Sequence, residues 1–196
     1  MGLTAFGAGI VAMLQSGLGL SPWDVLNQGI DRQTALSFGV ANILVGLAVM
    51  LVAWTLGSRI GFGTLANAVG IGLVIEALLT VDALGELPGW PLPARLALLL
   101  GGIGLVGVGS ALYIGARLGA GPRDSLMLVG AARTGRRVGA VRAALEVSAL
   151  AAGWALGGTV GVGTVAFALL IGPAIELSFN LLHRSPLGRR VEPTGR

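Results

Sequence analysis

Laying residues 101–176 over residues 1–76 without a gap brings 22 identical positions into register, all at an offset of 100. Chance matching in a Gly-, Ala- and Leu-heavy chain gives roughly a tenth of positions, about eight. The excess marks an internal duplication. Its landmarks are Leu18/Leu118, Gly19/Gly119, Pro22/Pro122, Asp24/Asp124, Thr34/Thr134, Trp54/Trp154, Gly57/Gly157, Gly61/Gly161, Gly63/Gly163, Thr64/Thr164, Gly72/Gly172, Ile75/Ile175 and Glu76/Glu176. Such a chain folds as two related halves. If each half crosses a membrane an odd number of times, the second lies inverted relative to the first, which is how many transporters are built.

Composition fixes the solvent. With 54% hydrophobic residues, 11% charged residues and a mean hydropathy of +0.85, there is too little polar side chain to cover a soluble globule. A spanning helix needs about 20 mostly apolar residues. Six stretches qualify, near 3–20, 36–56, 64–82, 96–116, 138–156 and 164–182. Three fall in each copy, so the expected fold is an all-α membrane protein of six transmembrane helices arranged as two inverted three-helix repeats. The whole chain, 1–196, reads as one transmembrane domain, with repeat 1 at 1–90, repeat 2 at 95–185 and a basic tail at 186–196.

All 13 cationic side chains are arginine. The second connection carries Arg59, the fourth Arg117, Arg123, Arg133, Arg136 and Arg137, and the tail Arg184, Arg189, Arg190 and Arg196; the first and third have only Arg32 and Arg95. Arginine collects on the cytoplasmic side, so both termini are expected there, in the bacterial inner membrane. This one-sided placement accounts for a pI near 11.3 without nucleic acid, since no aromatic-studded basic patch accompanies it. The first 20 residues resemble a signal peptide only in hydrophobicity. They lack a basic start, and Gly2, Gly7 and Gly9 recur as Gly102, Gly107 and Gly109, so they belong to the fold. Phe6 stands where a myristoylation signal needs Ser or Thr. With no cysteine and His183 as the single histidine, no disulfide, thiol chemistry or histidine-built metal site is expected.

Two motifs recur. The first closes the opening span of each copy: Gly17-Leu-Gly-Leu-Ser-Pro-Trp-Asp24, and Arg117-Leu-Gly-Ala-Gly-Pro-Arg-Asp124. Proline breaks the helix before it and suits the first position of a new one. Ser21 or Gly121 is then the N-cap, Pro22 or Pro122 the first helical residue, and Asp24 or Asp124 the third, where a carboxylate complements the helix dipole. The spacing predicts short helices over 22–30 and 122–131, interfacial or re-entrant. They are either plain capped turns or half-helices whose N-termini face a substrate path, since Gly/Pro interruptions at matching places in two halves mark such paths.

The second motif opens the third span: Gly61-Phe-Gly-Thr64 and Gly161-Val-Gly-Thr164. Steps of four then give Thr64, Ala68, Gly72, Glu76 and Thr164, Ala168, Gly172, Glu176, one face of each helix. Small residues let membrane helices approach closely, so Glu76 and Glu176 sit on a face expected to be buried in protein. Twelve residues at about 1.5 Å each place them roughly 18 Å along, straddling the midplane of a core about 30 Å thick. A carboxylate there costs about 2.5 kcal/mol or more and marks either an ion or substrate path or a bundle-holding hydrogen bond. Asn67 shares the stripe, facing Phe167 in the other copy, and Arg142 with Glu146 form an i, i+4 pair. No nucleophile–base pair, phosphate loop or ligand cluster appears, so neither enzyme nor cofactor is expected.

These elements, together with Tyr113-Ile-Gly-Ala ahead of Arg117 and Gly157-Gly-Thr-Val ahead of Gly161, resemble the YczE-like branch of the YczE/YyaS/YitT bacterial membrane proteins across about residues 3–182. The resemblance implies a permease-like inner-membrane protein linked to secondary-metabolite production, and carries over no site residues. The expected function is a secondary transporter or exporter of a small solute, in the lipid bilayer and compatible with a homodimer. Its substrate or coupling-ion residues would be Glu76, Glu176, Asn67, Thr64, Thr164, Ser21, Pro22, Asp24, Gly121, Pro122 and Asp124. The rival is a membrane regulator or scaffold that binds a partner through its Gly/Ala faces.

Overall fold

A computed structural model gives the fold of residues 1–81, 87–116 and 120–184. The basic tail at 186–196 and the Arg117 to Gly119 stretch of the second motif lie outside these described residues. Among the described residues eight α-helices follow one another: α1 Gly2–Ser16, α2 Pro22–Gln33, α3 Phe38–Thr55, α4 Phe62–Leu79, α5 Leu92–Gly115, α6 Pro122–Thr134, α7 Val138–Ala155 and α8 Val162–Arg184. A 3-10 turn at Leu87–Gly89 precedes α5. Among the described residues there are no strands.

Five of the helices, α3, α4, α5, α7 and α8, are long and apolar enough to cross a membrane. The expected first span is shorter: α1 stops at Ser16, capped by Gly17 in the left-handed region, and its 15 mostly apolar residues reach about 22 Å, short of a ~30 Å hydrocarbon core. The two short helices occupy the expected stretches and each run three residues further. The outer surface is strewn with large apolar side chains, Leu44, Leu51, Leu73, Leu169 and Leu177 among them, and Trp54 and Trp154 end α3 and α7 at 61% and 70% exposure. Such a surface suits acyl chains, with the tryptophans at the headgroup level.

The duplication in the sequence is a duplication of contacts. α1 packs on α4 as α5 packs on α8, and α2 packs on α7 as α6 packs on α3. The same exchange holds residue by residue where α1 crosses α5. A Cβ on Gly9 would lie 2.6 Å from the Gly102 carbonyl, and one on Gly109 would lie 2.8 Å from that of Gly2. Adding and subtracting 100 turns the first pair into the second. Only glycine lets two helix backbones meet this closely, and around the crossing Ile10 and Met13 of α1, Ile75 of α4 and Leu99 and Ile103 of α5 form a fully buried core.

Candidate functional site

The breaks between α1 and α2 and between α5 and α6 come to rest on the partner copy. Gly163 N–H donates to the Leu18 carbonyl at 2.7 Å, and the Thr64 hydroxyl donates to the Ala120 carbonyl at 2.7 Å. Each threonine also accepts its own N-cap amide, Gly61 or Gly161, at 3.3 Å. Thr64 and Thr164 are both buried; Thr64 fastens the second break directly, whereas Gly163 holds the first and Thr164 caps its own helix.

Proline at the first position and the residue before it aim α2 and α6 so that their N-termini converge. The residues that meet there occupy equivalent positions: the Arg123 guanidinium lies over the Trp23 ring, 5.1 Å from its centroid. Contact between positions 23 and 123 puts them where the two copies meet.

The two caps differ, and so do their carboxylates. In α2 the Ser21 oxygen accepts from Asp24 N–H at 3.4 Å while its hydroxyl donates to Asp24 Oδ2, and Asn27 Nδ2 donates to Oδ1 at 3.3 Å. Asp24 is 3% exposed. It is a locked structural carboxylate. In α6 the cap is Gly121, which has no side chain to offer, and Asp124 instead accepts from the Tyr113 hydroxyl at 2.7 Å. A Cβ on Gly121 would lie 3.3 Å from Asp124 Oδ2 and 3.4 Å from both Asn67 Oδ1 and Tyr113 Oη. The missing side chain leaves three polar groups facing one space.

That space is a cavity of about 190 Å³, well above the ~30 Å³ share of one water. Its polar wall includes Ser21, Asn42, Asn67, Ser110, Tyr113, Arg123, Asp124 and the pair Arg142 and Glu146, joined at 2.9 Å; Phe6, Ile10, Val106, Phe167 and Ile171 supply much of the apolar wall. Of the residues singled out from the sequence, Ser21, Pro22, Asn67, Gly121, Pro122 and Asp124 line it. Asp24, Thr64 and Thr164 lie outside its lining, as do Glu76 and Glu176.

Glu76, on α4, lies against the start of α3: its Oε1 accepts from Gly39 N–H at 2.8 Å and Val40 N–H at 3.3 Å. Glu176 is exposed. Sequence reasoning passed over Trp23, Arg123 and Tyr113. The signal for the first two was their shared position in the repeat, hidden because they are not identical; for Tyr113 it was being the chain's single tyrosine.

An all-helical bundle with an acyl-compatible surface and a central polar cavity is a polytopic membrane protein. The chain belongs to the family of unknown function DUF6198, whose model matches residues 1–180. It is similar to an uncharacterized protein of Haemophilus influenzae, 41% identical over 184 residues covering 94% of this chain and 83% of that one. It is also similar to the uncharacterized membrane protein YczE of Bacillus subtilis, 36% identical over 82% of this chain and 74% of YczE. The uncharacterized protein YyaS of the same organism is 25% identical over 96% of this chain and 94% of its own. No solved structure matches the chain.

Proposed function

We propose that the protein is a secondary transporter of a small polar solute, working by alternating access of two inverted three-helix repeats, with α1 as a sixth, short span. The observation that carries the reading is the cavity where the N-termini of α2 and α6 converge, the arrangement used by transporters with interrupted helices. The paired contact pattern supports a pseudo-two-fold between the copies. Arginine placement supports cytoplasmic termini in the inner membrane. A guanidinium (Arg123) and a carboxylate (Asp124) on consecutive residues suit a solute offering both an acceptor and a donor, as a zwitterion does. The rival scaffold reading needs free small-residue faces: where α1 crosses α4 and α5 they are consumed inside the bundle, and those around Gly139 and Gly172 of repeat 2 are open.

The test has two arms. The chain has no cysteine, so Asn67→Cys is a unique label site. A membrane-impermeant maleimide is expected to label it from one side of the membrane only; absence of labelling from either side means a sealed cavity and removes the transport reading. In proteoliposomes, labelled neutral amino acids probe zwitterion flux, which Asp124→Asn and Arg123→Gln are each expected to reduce at least tenfold, about 1.4 kcal/mol in transition-state terms. No protein-dependent flux of any of them overturns the zwitterion assignment.

A further inference from the structure

The two copies keep the same seam between their second and third spans, yet only one seam is shut. In repeat 1, α3 lies along α4. A Cβ on Gly72 would lie 2.3 Å from Ile43 Cγ1 and 2.7 Å from the Gly39 carbonyl, and one on Gly39 would lie 2.5 Å from Glu76 Oε1. Ala68 is 3% exposed beneath Gly46. In repeat 2 the same residue types stand at Gly139, Ala168, Gly172 and Glu176 and all four are exposed. A Cβ on Gly139 or on Gly172 would meet nothing within 4 Å, and α7 and α8 lack the packing that joins α3 to α4.

Helix ends show the same asymmetry. The first amides of a helix have no partner within it. In α3 the Ser37 N-cap makes no side-chain hydrogen bond, and Glu76 takes that place. In α7 the Arg137 N-cap makes none either, while Glu176 stands exposed on α8. Between Gly172 and Glu176 lies Pro173, where repeat 1 has Leu73. Proline inside a helix removes one backbone hydrogen bond and favours a bend, so the end of α8 that carries Glu176 has a built-in hinge.

We infer that Glu76 and Glu176 are the latches of two alternating gates, and that in the opposite state Glu176 accepts the Gly139 and Ala140 amides while Glu76 releases those of Gly39 and Val40. This rests on the alternating-access reading above. A duplicated seam unused in one conformation is explained if the other conformation uses it. With the termini in the cytoplasm, the start of α3 is external and that of α7 internal, so the structure is closed outside and open inside.

Paired cysteines in the cysteine-free chain report both gates. Gly46→Cys with Ala68→Cys spans the shut seam, where a Cβ on Gly46 would lie 3.4 Å from Ala68 Cβ. Glu146→Cys with Ala168→Cys, the equivalent positions of repeat 2, spans the open one. In membranes under mild oxidation, intramolecular disulfide is expected from both pairs. Glu76→Gln should raise the second pair's yield at least about threefold and lower the first's, with Glu176→Gln doing the reverse, because a neutral amide caps a helix N-terminus more weakly than a carboxylate. Three outcomes overturn the inference: no disulfide from the second pair in any background, yields that ignore both glutamine substitutions, or a disulfide between chains instead of within one. No solute is needed, so failure of amino-acid flux leaves this result standing. Intact flux without the second disulfide overturns the latch and leaves the cavity reading in place.

Discussion

Asp24→Ala is expected to leave little folded protein, while Asp124→Ala at the equivalent position folds and loses function. Asp24 is sealed in, and its carboxylate accepts from two donors, the Ser21 hydroxyl and Asn27 Nδ2, while its backbone N–H donates to the Ser21 oxygen. Removing the carboxylate strands the Ser21 hydroxyl and the Asn27 side-chain amide in a dry site. Each stranded polar group costs about 1–3 kcal/mol. Two of them take a large share of a native stability of about 5–15 kcal/mol. Asp24→Asn keeps the shape and restores part of the loss. Asp124 accepts one hydrogen bond, from Tyr113, and faces the cavity, so its removal frees one phenol that water can satisfy. Thermal unfolding in detergent, read by tryptophan fluorescence, checks this. Equal stability losses for the two alanine variants would show that Asp124 is structural too.

What the sequence made legible, it made legible through the offset. Pro22 and Pro122 fixed the starts of α2 and α6, Ser21 its cap, and the glycines of α1 and α5 their crossing, because each depends on local chemistry within a few residues. Glu76 shows where that reasoning ends. Its spacing from Thr64 gave its height along α4, but what it touches is set by how α3 lies on α4, through Gly39 and Gly72. That is a tertiary contact between residues 33 positions apart, and no periodicity encodes it. The cavity was legible in part for the same reason. Ser21, Pro22, Gly121, Pro122 and Asp124 belong to one repeated motif, whereas Tyr113 and Arg123 enter it through the way the copies meet, and identity counting discards positions where the copies differ.

Gly153 is the sharpest example of such a difference, and Gly153→Ala is expected to unseat α2. The equivalent residue in repeat 1 is Ala53, itself fully buried, so the substitution restores the repeat and looks benign on the sequence. In the structure a Cβ on Gly153 would lie 2.3 Å from the Leu26 amide nitrogen and 2.5 Å from the Val25 carbonyl carbon. These are backbone atoms in the middle of a helix, so no side-chain rotation relieves the clash. α2 itself would have to move away from α7. The shift would drag on Gln28, whose Oε1 accepts Thr159 N–H at 2.7 Å, and on Gln33 and Arg32, which donate to the Leu156 carbonyl and the Thr159 hydroxyl. Overpacking of a well-fitted site costs about 1–3 kcal/mol even when side chains can adjust, and here they cannot, so a loss at the top of that range or beyond is expected. Ala53→Gly, the mirror change, removes one buried methyl and should cost about 1–2 kcal/mol, about 0.8 kcal/mol for the methyl and about 1 kcal/mol for glycine in a helix. Unfolding midpoints of the two variants decide the matter. A Gly153→Ala variant as stable as the parent would mean that α2 is not seated on α7 as described, and with it the convergence of α2 and α6 on the cavity would fall.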